Sequence, residues 1–276
     1  MAERFVHIEE AEGSIPSTPT YFVASLARHK KLATKNNMRK IRFNEGNVYH
    51  LYNRGVDKRE VFADDNDYWR FLQGLFLFND IETSQSLLWE LERSQGIINF
   101  KVIKDYFAEN GLIQHPLVKI MADCLMPNHF HLLIEEISAG GISKFMHKLG
   151  TGYTNYFNQR YSRSGSLFQG TFKATQVNND NYLQYLLVYI NVINPGQLVE
   201  PNLKERGVVD QQKVLDFAES YFWSTNKEYL GTRDSIIIDK GLLGNIFSNG
   251  RQYREFVTDV LPQKSKFAEI NEFLLE

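Results

Sequence analysis

The sequence predicts an α+β fold: a ferredoxin-like antiparallel sheet with helices on one face, followed by a helical C-terminal extension. Three observations predict it. Residues 47–53 form an alternating, β-rich run, and residues 130–136 belong to an apolar, strand-like run, so each is expected to form a strand. Apolar residues recur at helical spacing over 64–78 and again from residue 143. The predicted order over 47–195 is β-α-β-β-α-β-α, which fits a ferredoxin-like sheet.

The elements before the central hairpin follow from residue type and spacing. Residues 47–53 are β-rich and alternate, so a strand is predicted there. A helix is predicted from Asp64 to Phe78, because an acidic N-cap region precedes apolar residues at helical spacing. The stretch 79–112 is expected to hold one or two further helices.

A predicted hairpin carries the most informative residues. Strands are expected over 117–124 and 130–136, joined by a turn at Met126-Pro127-Asn128. Residues i and i+2 of a strand point to the same face, so His129 and His131 present their imidazoles side by side. Neutral imidazole binds divalent ions, so the pair offers half of a metal site. Two ordinary histidines are the competing interpretation of this dipeptide pattern alone.

Three further elements are predicted after the hairpin. Gly140-Gly141 breaks the chain, and Ser143 is expected to cap the next helix. Residues 167–177 are expected to form the last strand. Asp180 begins a helix that Pro195-Gly196 stops.

Length and composition limit the classes of protein to consider. A chain of 276 residues suggests one or two domains, and we divide it into an N-terminal tail with a basic segment (1–42), a catalytic domain (43–200) and a helical subdomain (201–276). The lone cysteine, Cys124, excludes an internal disulfide and a cysteine-based zinc site. No apolar run approaches the roughly 18 residues that span a bilayer, and the N-terminus lacks a signal-peptide core. A cytoplasmic location is the simplest expectation.

Basic residues are concentrated in two stretches, although the formal net charge is only −2. No acidic residue occurs between Glu12 and Glu45 or between Glu136 and Asp180, and both stretches contain several lysines and arginines. A charge run is ordinarily a solvated face, but two long acid-free stretches favour phosphate contacts. The residues expected to contact DNA are Arg54, Lys144, Lys148, Arg160, Arg163, Gln169 and Lys173.

Six ordered blocks of sequence resemble one known family. The blocks are 48–55, 67–72, 126–131, 156–161, 165–173 and 182–195. Together they are similar to the HUH single-tyrosine transposases of insertion sequences, and most similar to the REP-associated tyrosine transposase branch. The resemblance covers roughly residues 45–200, and six blocks in order are far more specific than one His-x-His pair.

The resemblance implies a metal-dependent transposase or endonuclease. In this family a tyrosine hydroxyl attacks a phosphodiester of single-stranded DNA, leaving a 5′-phosphotyrosyl link and a free 3′-OH. A divalent cation, Mg²⁺ or Mn²⁺, lies on the histidine pair and a third polar ligand. The implied partner is single-stranded DNA, expected to contain a hairpin. A homodimer is compatible with the resemblance, and no membrane partner is expected.

The resemblance also assigns roles to individual residues. Tyr189 is the expected nucleophile because it follows Tyr182 by seven residues, as in the family's helix. Tyr185 lies one turn earlier on the same face and is the second choice. The expected metal ligands are His129, His131 and Asn194.

One departure from the family pattern concerns the third ligand. The family usually has the asparagine of its Asn-Pro pair four residues after the tyrosine, whereas Asn194 is five residues after Tyr189. On a regular helix the extra residue turns Asn194 away from Tyr189. Three explanations remain open: a π-bulge absorbs the extra residue, Asn191 takes the role, or the site is degraded.

Two other functions remain open on the residues alone. A catalytically impaired, transposase-derived protein that binds nucleic-acid hairpins would explain the displaced Asn194 and the modest net charge. A metal-dependent enzyme acting on small phosphorylated molecules would leave the basic stretches without a purpose. His50, on the first strand, lies within reach of either metal or core, and a structural role is favoured for it.

Overall fold

The computed structural model describes residues 41–82, 86–95 and 99–263. The centre of the protein is a four-stranded antiparallel sheet with the spatial order β2-β3-β1-β4. Its strands are β1 (Val48–Arg54), β2 (Val118–Met126), β3 (His129–Glu136) and β4 (Lys173–Val177). The predicted α+β class and the predicted order of the elements are confirmed.

Helices cover the first face of the sheet, as predicted. They pack on Leu51, Phe130 and Leu132, which belong to one buried hydrophobic core. The first helix begins where predicted, because the Asp64 carboxylate accepts hydrogen bonds from the backbone N–H groups of Asn66 and Asp67. The elements of this part are a 3₁₀ turn (Val56–Lys58), α1 (Asp65–Leu77), α2 (Leu87–Gln95), α3 (Phe100–Glu109) and α4 (Gly141–Arg160).

Helix α4 begins three residues earlier than predicted. Gly140 is its N-cap, with a left-handed φ of 71°, and Ser143 lies inside the helix. A Cβ on Gly141 would lie 2.2 Å from the carbonyl oxygen of Leu117, so only glycine fits this close approach of the helix to the start of β2. The glycine pair therefore starts the helix, and Ser143 is not the cap.

A second group of helices covers the opposite face, which the one-sided prediction did not include. Its core contains Met121, Cys124 and Leu133 from the sheet with apolar side chains from the C-terminal half. The helical character predicted for 201–276 is confirmed as far as residue 263, whereas the boundary at residue 200 stays a prediction. The elements are α5 (Asp180–Val188), a π turn (Tyr189–Ile193), α6 (Asn194–Gly196), α7 (Leu203–Arg206), α8 (Gln211–Ser220), α9 (Asn226–Leu230), α10 (Gly241–Ile246) and α11 (Gly250–Val260).

The last strand is shorter than predicted. Only residues 173–177 pair with β1, and residues 167–172 form a loop beside the end of β1. Gly170 has a φ of +75°, which is incompatible with a continuous strand. The Gln169 N–H donates to the Arg54 carbonyl oxygen (2.8 Å), so the loop holds Gln169 next to the end of β1.

Part of the predicted organisation falls outside the described residues. The predicted N-terminal tail and basic segment lie almost entirely in residues 1–40, which are not among them. Among the described residues, no helix is both long enough and apolar enough to cross a membrane.

Candidate active site

The histidine pair lies on the second face of the sheet, at the start of β3. Strand register sets His131 opposite Tyr52 and His129 opposite Arg54, and the two imidazole centroids are 5.0 Å apart. The preceding turn is fixed by backbone hydrogen bonds, since the Pro127 carbonyl accepts from the N–H of Val61 (2.8 Å). The predicted common face of the two histidines is confirmed.

Each of the two imidazoles is held through its Nδ1 atom. The His131 Nδ1 lies 2.9 Å from the Nε2 of His50, in a buried contact between β3 and β1. The His129 Nδ1 lies 2.6 Å from the Oδ1 of Asn128. Because the Asn128 Oδ1 atom accepts, the His129 Nδ1 atom carries the proton, and the His129 Nε2 atom carries the lone pair that binds a metal. The same holds for His131 when its Nδ1 donates to the Nε2 of His50. His50 therefore orients His131.

Tyr189, at the start of the π turn, packs against these histidines from the helices that cover this face of the sheet. Its ring centroid is 5.7 Å from that of His131, with the planes nearly perpendicular, and 6.4 Å from that of His50. The Lys204 ammonium lies 4.7 Å from the centre of the Tyr189 ring. The Tyr189 side chain is fully buried.

The other tyrosines of this helix lie elsewhere. Tyr185, the second choice for the nucleophile, stacks on Phe256 of α11 at 5.9 Å between centroids. Tyr182 belongs to the packing of the second core, and burial raises its pKa to about 12. The structure thus brings Tyr189, rather than Tyr185 or Tyr182, into ring contact with the histidines.

The π turn accounts for the extra residue before Asn194. The Asn194 N–H donates to the Tyr189 carbonyl five residues earlier, so this turn of helix contains one residue more than an α turn. The side chain at i+5 is thereby rotated back toward the face of Tyr189. Of the three explanations left open by the sequence, this is the one the structure adopts.

Asn191 does not replace Asn194. Its Nδ2 donates to the Tyr253 hydroxyl (3.3 Å), and its Oδ1 accepts from the Thr225 hydroxyl (2.8 Å), so both ends of its amide belong to the second core. Asn194 is fully buried, and its Oδ1 accepts from Gln197 Nε2 at 3.4 Å. Its role as the third ligand stays a prediction. Among the described residues no group of three His, Cys, Asp or Glu side chains could hold a metal.

A cleft of about 270 Å³ opens beside His129. Four of its lining residues are cationic and none is acidic, which suits a phosphate backbone. Three of the predicted DNA-binding residues, Arg54, Gln169 and Lys173, line it. The lining residues are Tyr52, Asn53, Arg54, Lys58, Asn128, His129, Gln169, Lys173, Gln197 and Lys204.

The other four predicted DNA-binding residues do not line this cleft. Lys144, Lys148 and Arg160 lie on α4, which packs on the opposite face of the sheet, and Arg163 follows that helix. Lys148 donates to the Asp80 carbonyl oxygen (2.6 Å), and Arg163 donates to Asn158 (3.2 Å). Arg160 forms ion pairs with Asp64 (2.5 Å) and Asp67 (2.7 Å), and it lowers the pKa of Asp64.

The two lining residues that follow Asn194 were assigned no role from the sequence alone. Lys204 and Gln197 follow the predicted end of the helix, in a stretch with no periodic or motif signal. They reach the cleft because α6 and α7 turn back over the sheet after the π turn. The one usable signal was proximity in sequence to Asn194.

Comparison with known proteins supports one family. Residues 96–192 match the family model described as "Transposase IS200 like". The matched segment contains the histidine pair and Tyr189. The match covers about a third of the chain, and it confirms the resemblance inferred from the sequence.

The likenesses to solved structures are remote. One is a REP-associated tyrosine transposase bound to a REP hairpin, with 12% identity and a TM-score of 0.39, covering 73% of this chain and 95% of that chain. Another is tRNA(His) guanylyltransferase from Saccharomyces cerevisiae, with 7% identity and a TM-score of 0.31, covering 66% and 75%. No curated protein matches the chain. At these values neither structure informs the function.

Proposed function

We propose that this chain is a metal-dependent transposase and endonuclease that cleaves and rejoins single-stranded DNA through a 5′-phosphotyrosine at Tyr189. The observation that carries the proposal is the 5.7 Å distance between the ring centroids of Tyr189, in the π turn, and His131, on β3. The match of residues 96–192 to the transposase family model supports the class of reaction. The acid-free, cationic cleft beside His129 supports a phosphodiester substrate.

The residues present fit a divalent cation. His129 and His131 would hold it through Nε2, because their Nδ1 atoms are engaged, and the Asn194 amide oxygen would complete a mixed nitrogen and oxygen set. When bound, Mg²⁺ or Mn²⁺ supplies a Lewis acid to the scissile phosphate. His50 fixes the His131 ring for that purpose.

The chemistry assigned to the chain's own residues is a transesterification. The Tyr189 hydroxyl oxygen bonds to phosphorus, the bond from phosphorus to the 3′ oxygen breaks, and the phenolic proton ends on the leaving 3′-OH. A 3′-OH that attacks the phosphotyrosine reverses these steps and rejoins strands without a nucleotide cofactor. Arg54, Lys173 and Lys204 neutralise charge on the bound phosphates, and phosphoryl transfer depends mainly on such positioning.

The finer assignments of the partner belong to the same proposal. We propose that the strand contains a hairpin, as the sequence resemblance implies, and that the protein acts in the cytoplasm. A homodimer stays a prediction.

A second candidate is a catalytically impaired protein that binds hairpins. It is favoured by the burial of Tyr189, whose hydroxyl must reach a phosphate in the cleft for the reaction to occur. Of the two sequence arguments for this candidate, the π turn weakens the displaced Asn194, whereas the modest net charge still favours it.

An adduct assay separates the two candidates. Hairpin-bearing single-stranded oligonucleotides are labelled at the 3′ end or the 5′ end, incubated with the full chain and Mn²⁺ or Mg²⁺, and resolved on a denaturing gel. A 5′-phosphotyrosine keeps the 3′ label on the protein and releases the 5′ label on a fragment with a free 3′-OH.

Two matched variants make the test specific. Tyr189→Phe should abolish the adduct, by at least about a thousandfold, while DNA affinity is retained, because only the nucleophilic oxygen is removed. Tyr185→Phe, one turn earlier, should leave the adduct unchanged. An adduct in Tyr189→Phe would overturn the assignment, and binding without any adduct in the parent would favour the impaired protein.

A further inference from the structure

A second cleft, of about 250 Å³, lies at the β2 edge of the sheet, and we call it the edge cleft. Residues 222–225 run along this edge: the Leu125 N–H donates to the Trp223 carbonyl (2.8 Å), and the Thr225 N–H donates to the Asp123 carbonyl (3.0 Å). The same segment supplies one wall of the cleft, and α1 and α3 supply the other. The proposed chemistry at Tyr189 does not use this cleft.

The walls of the edge cleft are aromatic and partly open to solvent. Trp69 is 37% exposed and Phe222 is 39% exposed, although large aromatic side chains are usually buried. The two rings lie 5.4 Å apart at 65°, and Trp223 lies 5.4 Å from Trp69. Such surfaces offer faces on which a planar ligand can stack.

The floor of the edge cleft carries a carboxylate. The Asp123 side chain lines the cleft and is only 4% exposed. Its charged neighbours are Glu228 and Arg233, and burial together with the Glu228 carboxylate raises its pKa to about 7. Among the described residues, no hydrogen bond to this carboxylate is formed.

The neighbouring guanidinium is committed elsewhere. Arg233 donates from Nε and Nη2 to the two oxygens of Glu228, and from Nη1 to the Phe222 carbonyl (2.7 Å). Its Nη2 also donates to the Ser224 carbonyl (2.6 Å). Glu228 is thus neutralised in place, whereas the Asp123 carboxylate lines the cleft and has no hydrogen-bond donor among the described residues.

The lining of the edge cleft carries three carboxylates, Asp123, Glu228 and Asp234, and two cations, Lys104 and Arg233. Arg233 lies 4.9 Å and Lys227 lies 5.8 Å from the centre of the Phe222 ring, so protein cations already use that π face. Lys104 adds a further positive charge to the lining, and it suits a phosphate attached to the guest. The aromatic walls and the Asp123 carboxylate fit a planar group that has N–H donors, and Lys104 suits a phosphate attached to it.

We propose that the edge cleft receives an amino-bearing nucleobase of the single-stranded DNA, stacked on Trp69 with its amino group donating to Asp123. Carboxylates accept from exocyclic base amines, and stacking on aromatic side chains is the usual way to hold a base outside a duplex. Thymine has no amine, and its single N–H lies between two carbonyl oxygens that would face the carboxylate. This inference rests on the proposed function for its choice of DNA as the ligand.

Tryptophan fluorescence tests the proposal directly. The chain has three tryptophans, and two of them line the edge cleft, so a Trp89→Phe background reports on this cleft alone. The probes are the deoxyguanosine, deoxyadenosine, deoxycytidine and thymidine monophosphates, followed by short unlabelled single strands. We expect saturable quenching by amino-bearing nucleotides at about tenfold lower concentration than by thymidine monophosphate.

Variants locate the quenching. Asp123→Asn should weaken the binding of amino-bearing nucleotides by about tenfold, so that they bind no better than thymidine monophosphate. Asp216→Asn, a matched change of an exposed residue on α8, should leave their binding unchanged. Trp69→Leu should weaken the binding of all four nucleotides by about tenfold, because stacking is lost. This variant tests the site if Asp123→Asn fails to fold. Equal quenching by all four nucleotides, or none, would overturn the proposal.

The outcome is independent of catalysis at Tyr189. Nucleotides should quench the fluorescence of Tyr189→Phe as they quench that of the parent, since the two clefts lie on opposite faces of the sheet. Base-selective quenching in a parent that forms no adduct would support this cleft and count against the proposed transposase chemistry. An adduct without base-selective quenching would support the proposed transposase chemistry and count against a base site in the edge cleft.

Discussion

The two clefts differ in charge and in lining although one hairpin borders both. The cleft beside His129 is lined by four cations and no acid, whereas the edge cleft holds the Asp123 carboxylate beneath aromatic walls. Side chains alternate along a strand, so β2 and β3 turn their histidine side to one face and Asp123 to the other. A phosphate backbone matches the first lining, and an amino-bearing base matches the second.

The sharpest way to break this comparison is to disable the histidine pair. His129→Ala, or removal of divalent ions with EDTA, should lower cleavage by at least about a thousandfold, because the phosphate loses its Lewis acid. Quenching of the tryptophans at the edge cleft should not change. Gel assays of cleavage and fluorescence titrations on the same protein measure both, and cleavage by metal-free protein would contradict the proposed site.

The next largest effect concerns the buried carboxylate of the edge cleft. Burial raises the Asp123 pKa to about 7, whereas an unfolded aspartate titrates near pH 4. The folded state therefore binds this proton more tightly, so the Asp123 contribution to stability is greatest below pH 4 and is lost as the pH rises to 7. Above pH 7 the free energy of unfolding is lower by at most about 4 kcal/mol than it is below pH 4, as far as Asp123 is concerned.

Asp123→Asn removes this titration. We expect the variant to be more stable than the parent at pH 8 and to show a flatter stability curve between pH 4 and 7, measured by urea unfolding at each pH. Asp216→Asn is the matched control, since that residue is exposed. A parent whose stability does not fall over this range would contradict the assignment of a buried, donor-free carboxylate.

The features that the sequence could predict are local ones. The apolar, strand-like run predicted β3 and with it the common face of His129 and His131, and helical spacing predicted α1. Tyr189 came from the resemblance. The sequence could not reveal which face of the sheet each helix covers, so the basic residues of α4 were assigned to DNA although α4 lies on the other face.

Long-range packing explains what the sequence could not show. Lys204 reaches Tyr189 only because α7 returns over the sheet. The edge cleft joins Trp69 and Asp123 with residues 222–237, which are about a hundred or more positions away along the chain. The π turn was foreseen as one of three explanations, but only the geometry of the helix could choose it.

A smaller effect is expected at His50, which touches the metal site only through His131. His50→Ala should weaken Mn²⁺ activation by about 10-fold to 100-fold, because the His131 ring loses the partner that fixes its orientation. DNA affinity should change little. His147→Ala, an exposed histidine on α4, is the control, and recovery of activity at high Mn²⁺ concentration distinguishes positioning from misfolding.

The smallest expected effect compares two lysines on opposite faces of the sheet. Lys204 lines the cleft and lies over the Tyr189 ring, whereas Lys144 is exposed on α4. If phosphates bind only in the cleft, Lys204→Ala should weaken single-stranded DNA binding several-fold and flatten the slope of log K against log salt by about 0.7, the value for one phosphate contact. Lys144→Ala should alter neither quantity. Equal losses in the two variants would mean that the strand also crosses the α4 face, and the cationic cleft would then be only part of the binding surface.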